Sequence, residues 1–257
     1  MKNLKDIIQE RLHINKDTGN HNYNYHPKTK DELKKLVKKL IKERGDEADL
    51  NDIDTSEITD MSILFANSEF NGDISEWNVS NVKDMSGLFE KSSFTGENGD
   101  ISNWDVSKVE NMLNMFYMSK FNGDISEWNV SNVKDMSGLF EKSSFTCENG
   151  DISNWDVSKV ENMLNMFYMS KFNGDISYWD VSNVKDMDHM FYSSSFTGEN
   201  GDISNWDVSK VEDMSYMFKK SKFNGDISKW DVSNVNYMSE MFKFSPLEKN
   251  PPKWYKE

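Results

Sequence analysis

Gly72-Asp73-Ile74-Ser75-Glu76-Trp77-Asn78-Val79-Ser80 is the phrase that decides how this chain is organised. Variants of it begin again at Gly99, Gly123, Gly150, Gly174, Gly201 and Gly225, so the spacing alternates between 27 and 24 residues. The larger unit, Asn71 to Phe121, recurs at Asn122 to Phe172 with a single change, Gly96 to Cys147. Periods of this size mark stacked turns, none of which can bury its apolar face alone.

Within a turn the recurring apolar positions are Ile74, Trp77, Val79, Val82, Met85, Leu88, Phe89 and Phe94. Val82-x-x-Met85-x-x-Leu88-Phe89 starts as an extended segment and passes into helical spacing. A brief parallel strand near residues 80–85 and a short helical segment near 85–91 are therefore predicted, with a turn at Asn-Gly-Asp. The Trp77, Met85 and Phe89 columns are assigned to the core, not to a cofactor.

The outward positions carry a second pattern. Two residues before each strand Met, successive turns read Lys83, Glu110, Lys134, Glu161, Lys185 and Glu212. Neighbouring strands lie about 4.8 Å apart, where alternating signs attract. Asp73, Asp100, Asp124, Asp151, Asp175, Asp202 and Asp226 repeat one sign on every turn, and are predicted to cap turns by accepting backbone N–H bonds, the alternative being screening by Ca2+. Longer turns insert Thr95-Gly96-Glu97, Thr146-Cys147-Glu148 and Thr197-Gly198-Glu199 along one edge. Insertions on one face are common at binding surfaces, and equally common as plain loop extensions.

These residues resemble the bacterial surface protein 26-residue repeat family, the BspA-like group of leucine-rich-repeat-like proteins. Phe172-Asn-Gly-Asp-Ile-Ser-Tyr-Trp-Asp-Val-Ser-Asn-Val-Lys-Asp-Met-Asp-His-Met-Phe191 follows that pattern nearly throughout. The resemblance implies a leucine-rich-repeat-like solenoid and, by analogy, adhesion or protein binding at a cell surface. Taken together, the expectation is an α/β repeat solenoid, a right-handed array of about eight turns with short parallel strands and a small α-helical N-terminal cap. Its divisions are residues 1–49 (cap), 50–245 (array) and 246–257 (C-terminal cap, with Trp254 and Tyr255 over the last core layer).

In the head, Leu4, Ile7, Ile8 and Leu12 suggest one short helix, and Thr29-Lys30-Asp31-Glu32 with Leu33, Leu36, Val37, Leu40, Ile41 and Gly45 marks a second. Lys34, Lys35, Lys38, Lys39 and Lys42 form a solvated face on that helix, and His13, His21 and His26 match no metal-ligand spacing.

The net charge is −14, but residues 1–49 hold 12 Lys+Arg against 9 Asp+Glu, leaving the rest near −17. An acidic array argues against direct nucleic-acid binding. No apolar stretch approaches a membrane span and no signal sequence is evident, so a cytoplasmic location is expected, with the cell surface or secretion as the family analogy's alternative. No nucleophile elbow, phosphate loop or paired metal motif is present, and no cofactor is expected. The expected function is a monomeric, non-enzymatic scaffold that binds a protein with a basic surface. The alternative is an acidic inhibitor or decoy that occupies the basic surface of a nucleic-acid-handling protein. Candidate partner-binding residues are Glu97, Glu148 and Glu199 in the loops, and Lys83, Glu110, Lys134, Glu161, Lys185 and Glu212 in the alternating column.

Overall fold

The computed structural model describes residues 23–256. The helix expected from Leu4 to Leu12 lies outside them, as do His13 and His21. The helix α1 (Lys30–Arg44) forms as its capping signals require: Thr29 Oγ1 accepts from Glu32 N at 3.3 Å, and Gly45, at φ 93°, closes the end with its N–H on Ile41 O. Leu33, Val37 and Leu40 are buried against the first turns. Arg44 clasps Asp52 through two parallel bonds of 2.9 and 2.8 Å, and Lys30 reaches Asp60 at 3.1 Å, so both ends of the helix are tied to the array.

The rest corrects the expected fold class. Among the described residues there is one α-helix, a 3-10 turn at Pro246–Glu248, and no β-strand or sheet. Strand character is reduced to single-residue parallel bridges, Asp60 to Asp84, Asp84 to Asn111, and so on through Asp213 to Tyr237. The helical segment expected at 85–91 is a run of turns.

The backbone shows why neither element forms. In the turn that starts at Met85, the N–H groups of Met85, Gly87, Phe89 and Lys91 donate to Asn111, Leu113, Met115 and Tyr117 O of the next turn, at 2.7 to 3.0 Å. The N–H groups between them, of Leu88, Glu90 and Ser92, fold back onto Met85, Gly87 and Phe89 O at 3.1 to 3.2 Å. A strand would direct donors and acceptors to both neighbours, and a helix would send each N–H four residues back. Here the segment from each Met to the sixth residue after it points its alternate N–H groups forward, and the facing C=O groups of the next turn point backward. That geometry requires two left-handed residues per turn, the second and sixth after the Met: Gly87 and Lys91, Asn114 and Met118, His189 and Ser193, with φ between 49° and 61° in all eight turns.

Side chains fill the interior in columns. Phe89, Phe116, Phe140 and Phe167 stack at 5.7 to 5.8 Å, and Phe94, Phe121, Phe145 and Phe172 form a second column beside them. Each of the seven repeat tryptophans, Trp77 to Trp230, is at most 4% exposed and donates its Nε1–H to a carbonyl one turn back, Trp77 to Leu50 O and the others to an Ile, as Trp128 does to Ile101 O at 3.0 Å. Trp254 extends this column from outside the repeat, with its Nε1 2.9 Å from Ile227 O and its ring 6.4 Å from Trp230. The seven carboxylates from Asp73 to Asp226 each accept the N–H of the Ser two residues on, at 2.8 to 2.9 Å, which closes the Gly-Asp-Ile-Ser corner.

Candidate functional site

Three surfaces run along the stack. The first is the inserted edge. Glu97, Glu148 and Glu199 are exposed there, and no ion pair joins any of them to a neighbour among the described residues. The loops themselves are held firmly. Asn71 accepts Thr95 N on its side-chain oxygen at 2.8 Å, and Asn98 donates back to Asn71 O; Asn122 and Asn173 repeat this at the other two insertions.

The second surface carries the alternating charges. The structure places Lys83, Glu110, Lys134, Glu161, Lys185 and Glu212 on successive turns, since each backbone bonds the next: Glu110 N to Lys83 O, Lys134 N to Glu110 O, Glu161 N to Lys134 O. Ion pairs form only across the 24-residue steps, Lys134 to Glu110 at 2.7 Å and Lys185 to Glu161 at 2.6 Å. The lysine bond first, and its charge second, hold Glu110 and Glu161 below the ordinary carboxylate range. Across the 27-residue steps the extra lysines intervene. Lys159 binds Asn132 Oδ1 and Lys210 binds Asn183 Oδ1, both at 2.6 Å. The result is a groove lined by Lys134, Lys159, Glu161, Asn183, Lys185 and Lys210, a basic strip on an acidic molecule.

The third surface follows from the left-handed turns and was not foreseen. It carries Tyr117, Tyr168, Tyr192 and Tyr216, with Met118 and Met169 exposed at 47% and 48%. Tyr168 stacks on Tyr192 at 4.8 Å, and His189 stacks on Tyr216 at 4.5 Å. Lysines lie over the rings: Lys142 over Tyr117 and Tyr168, Lys220 over Tyr192, Lys219 over Tyr216. Beside His189, burial pushes the carboxyls of Asp186 and Asp188 upward, with the His189 charge opposing this at both. Asp186 also feels Asp213 on the next turn; in the same column Asn111 and Asn162 separate Asp84, Asp135 and Asp186 from one another. A signal for this surface existed in the sequence. The residues at φ > 0 vary from turn to turn and include Met118, Met169, His189 and Tyr216 beside the Gly and Asn such positions favour, and Tyr117, Tyr168 and Tyr192 lie next to them.

Among the described residues no group of three or more His, Cys, Asp or Glu side chains could hold a metal ion, and no helix is long and apolar enough to cross a membrane. The molecule is thus a repeat protein whose distinguishing surfaces are stripes along its turns. The family model described as "Mycoplasma protein of unknown function, DUF285" matches it twice, over residues 32–148 and 142–254, and the chain belongs to that family. No curated protein and no solved structure matches.

Proposed function

We propose that this chain is a non-enzymatic protein-binding scaffold, and that the Tyr and Met stripe is its docking face. The carrying observation is the run of half-buried tyrosines flanked by exposed methionines on that stripe. Tyr117, Tyr168, Tyr192 and Tyr216 present rigid rings, and Met118 and Met169 present exposed, flexible thioether side chains. Tyr and Met are enriched where protein interfaces lose water, and Tyr is a frequent energetic anchor. The resemblance to BspA-like surface proteins supports the same class of role.

The loop acids Glu97, Glu148 and Glu199 and the column from Lys83 to Glu212 then serve as a charged rim. They set approach and register more than affinity. The acidic-decoy reading gives the loop acids the main part. It is weakened by the lysine groove, which interrupts the negative surface between Lys134 and Lys210.

The test compares two variants in affinity capture from the source organism: Met118→Lys with Met169→Lys, and the triple loop variant Glu97→Gln, Glu148→Gln, Glu199→Gln. The proposal expects a partner held by the wild type and the loop variant and lost by the methionine variant, with off-rates that vary little with salt. Loss in the loop variant alone, with association falling steeply as salt rises, would establish the decoy instead.

A further inference from the structure

The forward-pointing N–H groups of each turn need acceptors, and in every turn but one the next turn supplies them. Met214, Tyr216, Phe218 and Lys220 N donate to Tyr237, Ser239, Met241 and Lys243 O at 2.8 to 3.0 Å. The turn that receives them has the same conformation, with Glu240 at φ 49° and Phe244 at φ 61°. Its own forward donors are Met238, Glu240, Phe242 and Phe244. Among the described residues no backbone or side-chain acceptor meets the first three.

The fourth shows what fits. Phe244 N donates to the carboxylate of Glu248 at 3.1 Å. A row of N–H groups aimed one way, in turn conformation, is an anion-binding concavity. A groove lined by Asn236, Tyr237, Met238, Ser239, Glu240 and Lys256 opens over the row. Val232, Val235 and Met238 are only part-buried there, where equivalents such as Val181, Val184 and Met187 are at most 1% exposed.

Local charge points the same way. Residues 241–256 carry four lysines and one glutamate, on an array that is otherwise strongly acidic. Glu240 is held by Lys219 and by Lys243, so its carboxylate is drawn off the row. A second copy of this edge is a poor occupant, since donors would face donors. An ordinary strand is little better, because it brings an N–H with every C=O.

We propose that the edge at Met238–Phe244 docks an acidic peptide segment of a partner protein, whose carboxylates take the open N–H groups as Glu248 takes that of Phe244. This surface is separate from the Tyr and Met stripe and stands or falls without it.

The test titrates a hexaglutamate peptide, with hexaglutamine as control, into the 15N-labelled full chain. The amide resonances of Met238 and Glu240 should shift and saturate. Those of Met214 and Tyr216, the same positions one turn earlier with their acceptors in place, should hold still. Glu248→Ala opens the fourth donor and should tighten hexaglutamate binding about tenfold, the worth of one charge-assisted hydrogen bond. Glu248→Gln keeps an acceptor on Phe244 and should leave affinity near wild type, which separates the freed donor from any disturbance of the 3-10 turn. Lys256→Ala should weaken binding. Equal binding of hexaglutamine, shifts confined to the groove between Lys134 and Lys210, no response at Met238 and Glu240, or no tightening in Glu248→Ala would each overturn the proposal.

Discussion

Replacing Trp155 by Phe asks whether the tryptophan column is held by hydrogen bonds as well as by packing. Trp155 is 4% exposed, its Nε1 lies 3.1 Å from Ile125 O, and its ring packs 6.3 Å from Phe140. Phe removes the indole donor and leaves the Ile125 carbonyl with the Trp128 N–H alone, at 3.3 Å, a loss of about 1 kcal/mol. The smaller ring also leaves a void of roughly 40 Å³, which at about 24 cal/mol per Å³ adds about 1 kcal/mol. The total is about 2 kcal/mol, and at about 2 to 4 °C per kcal/mol for a chain of this size the melting temperature should fall by roughly 4 to 8 °C. Because each turn contacts mainly its neighbours, hydrogen exchange should rise first in the turns on either side of Trp155. Trp254→Phe is the internal comparison. Its indole bonds Ile227 O at 2.9 Å but is only partly buried, so water can replace it and the drop should be clearly smaller. A Trp155→Phe melt within about 2 °C of wild type would refute the argument, since neither the indole bond nor the ring volume would then contribute measurably.

Cys147 sits at φ 73° where the equivalent loops carry Gly96 and Gly198 at φ 87° and 81°, so Cys147→Gly should stabilise by up to about 1 kcal/mol in urea titration. Burial pushes the Cys147 thiol up to about 12, and a thiol reagent at pH 8 should label it far more slowly than it labels the unfolded chain. Asp186 has its carboxyl raised above the ordinary value of 3.8, by burial first and then by Asp213 and Asp135. The folded state therefore holds that proton more tightly than the unfolded one, and this group's contribution to stability falls as pH rises from about 4 through its folded value. Asp213→Asn should then raise the melting temperature at pH 7 and have little effect at pH 4, and an equal gain at both would show that the charge is not the cause. Glu161→Lys loses the 2.6 Å pair with Lys185 and places three lysines on successive turns; thermal melts should show a destabilisation that shrinks as salt is added.

The Phe, Trp and Met columns, the register of the stack and the corner carboxylates were all legible in the residues. A 27 and 24 residue period permits one alignment in which apolar positions coincide, and Asp-x-Ser is a self-contained turn that needs no partner. The helix α1 was legible for the same reason, since Thr29, Glu32 and Gly45 act within one turn of their own backbone. Partly legible was the charge column. Its order follows from the period, but that Glu161 pairs with Lys185 across the shorter step, while Lys159 reaches Asn132 across the longer one, is seen only in the structure.

What only the tertiary structure decided is the path of the chain between columns. Met85, Leu88 and Phe89 have the spacing of a helix, and Val82 to Met85 that of a strand, because hydropathy reports which side chains point inward and not the sign of φ. The sign is set by stacking on either side: carbonyls of the following turn take every second N–H in the turn of Gly87 and Lys91, and in the last turn the carbonyls of Ser239 and Lys243 receive the N–H groups of the turn before, so Glu240 and Phe244 are left-handed too. The same stacking turns Tyr168, Met169, His189 and Tyr216 outward into one stripe, and leaves Met238 and Glu240 with donors that no acceptor meets among the described residues. Sequence alone determined the repeat, its register and its core. The direction of its hydrogen bonds, and with it the surfaces available to a partner, came from one turn stacking on the next.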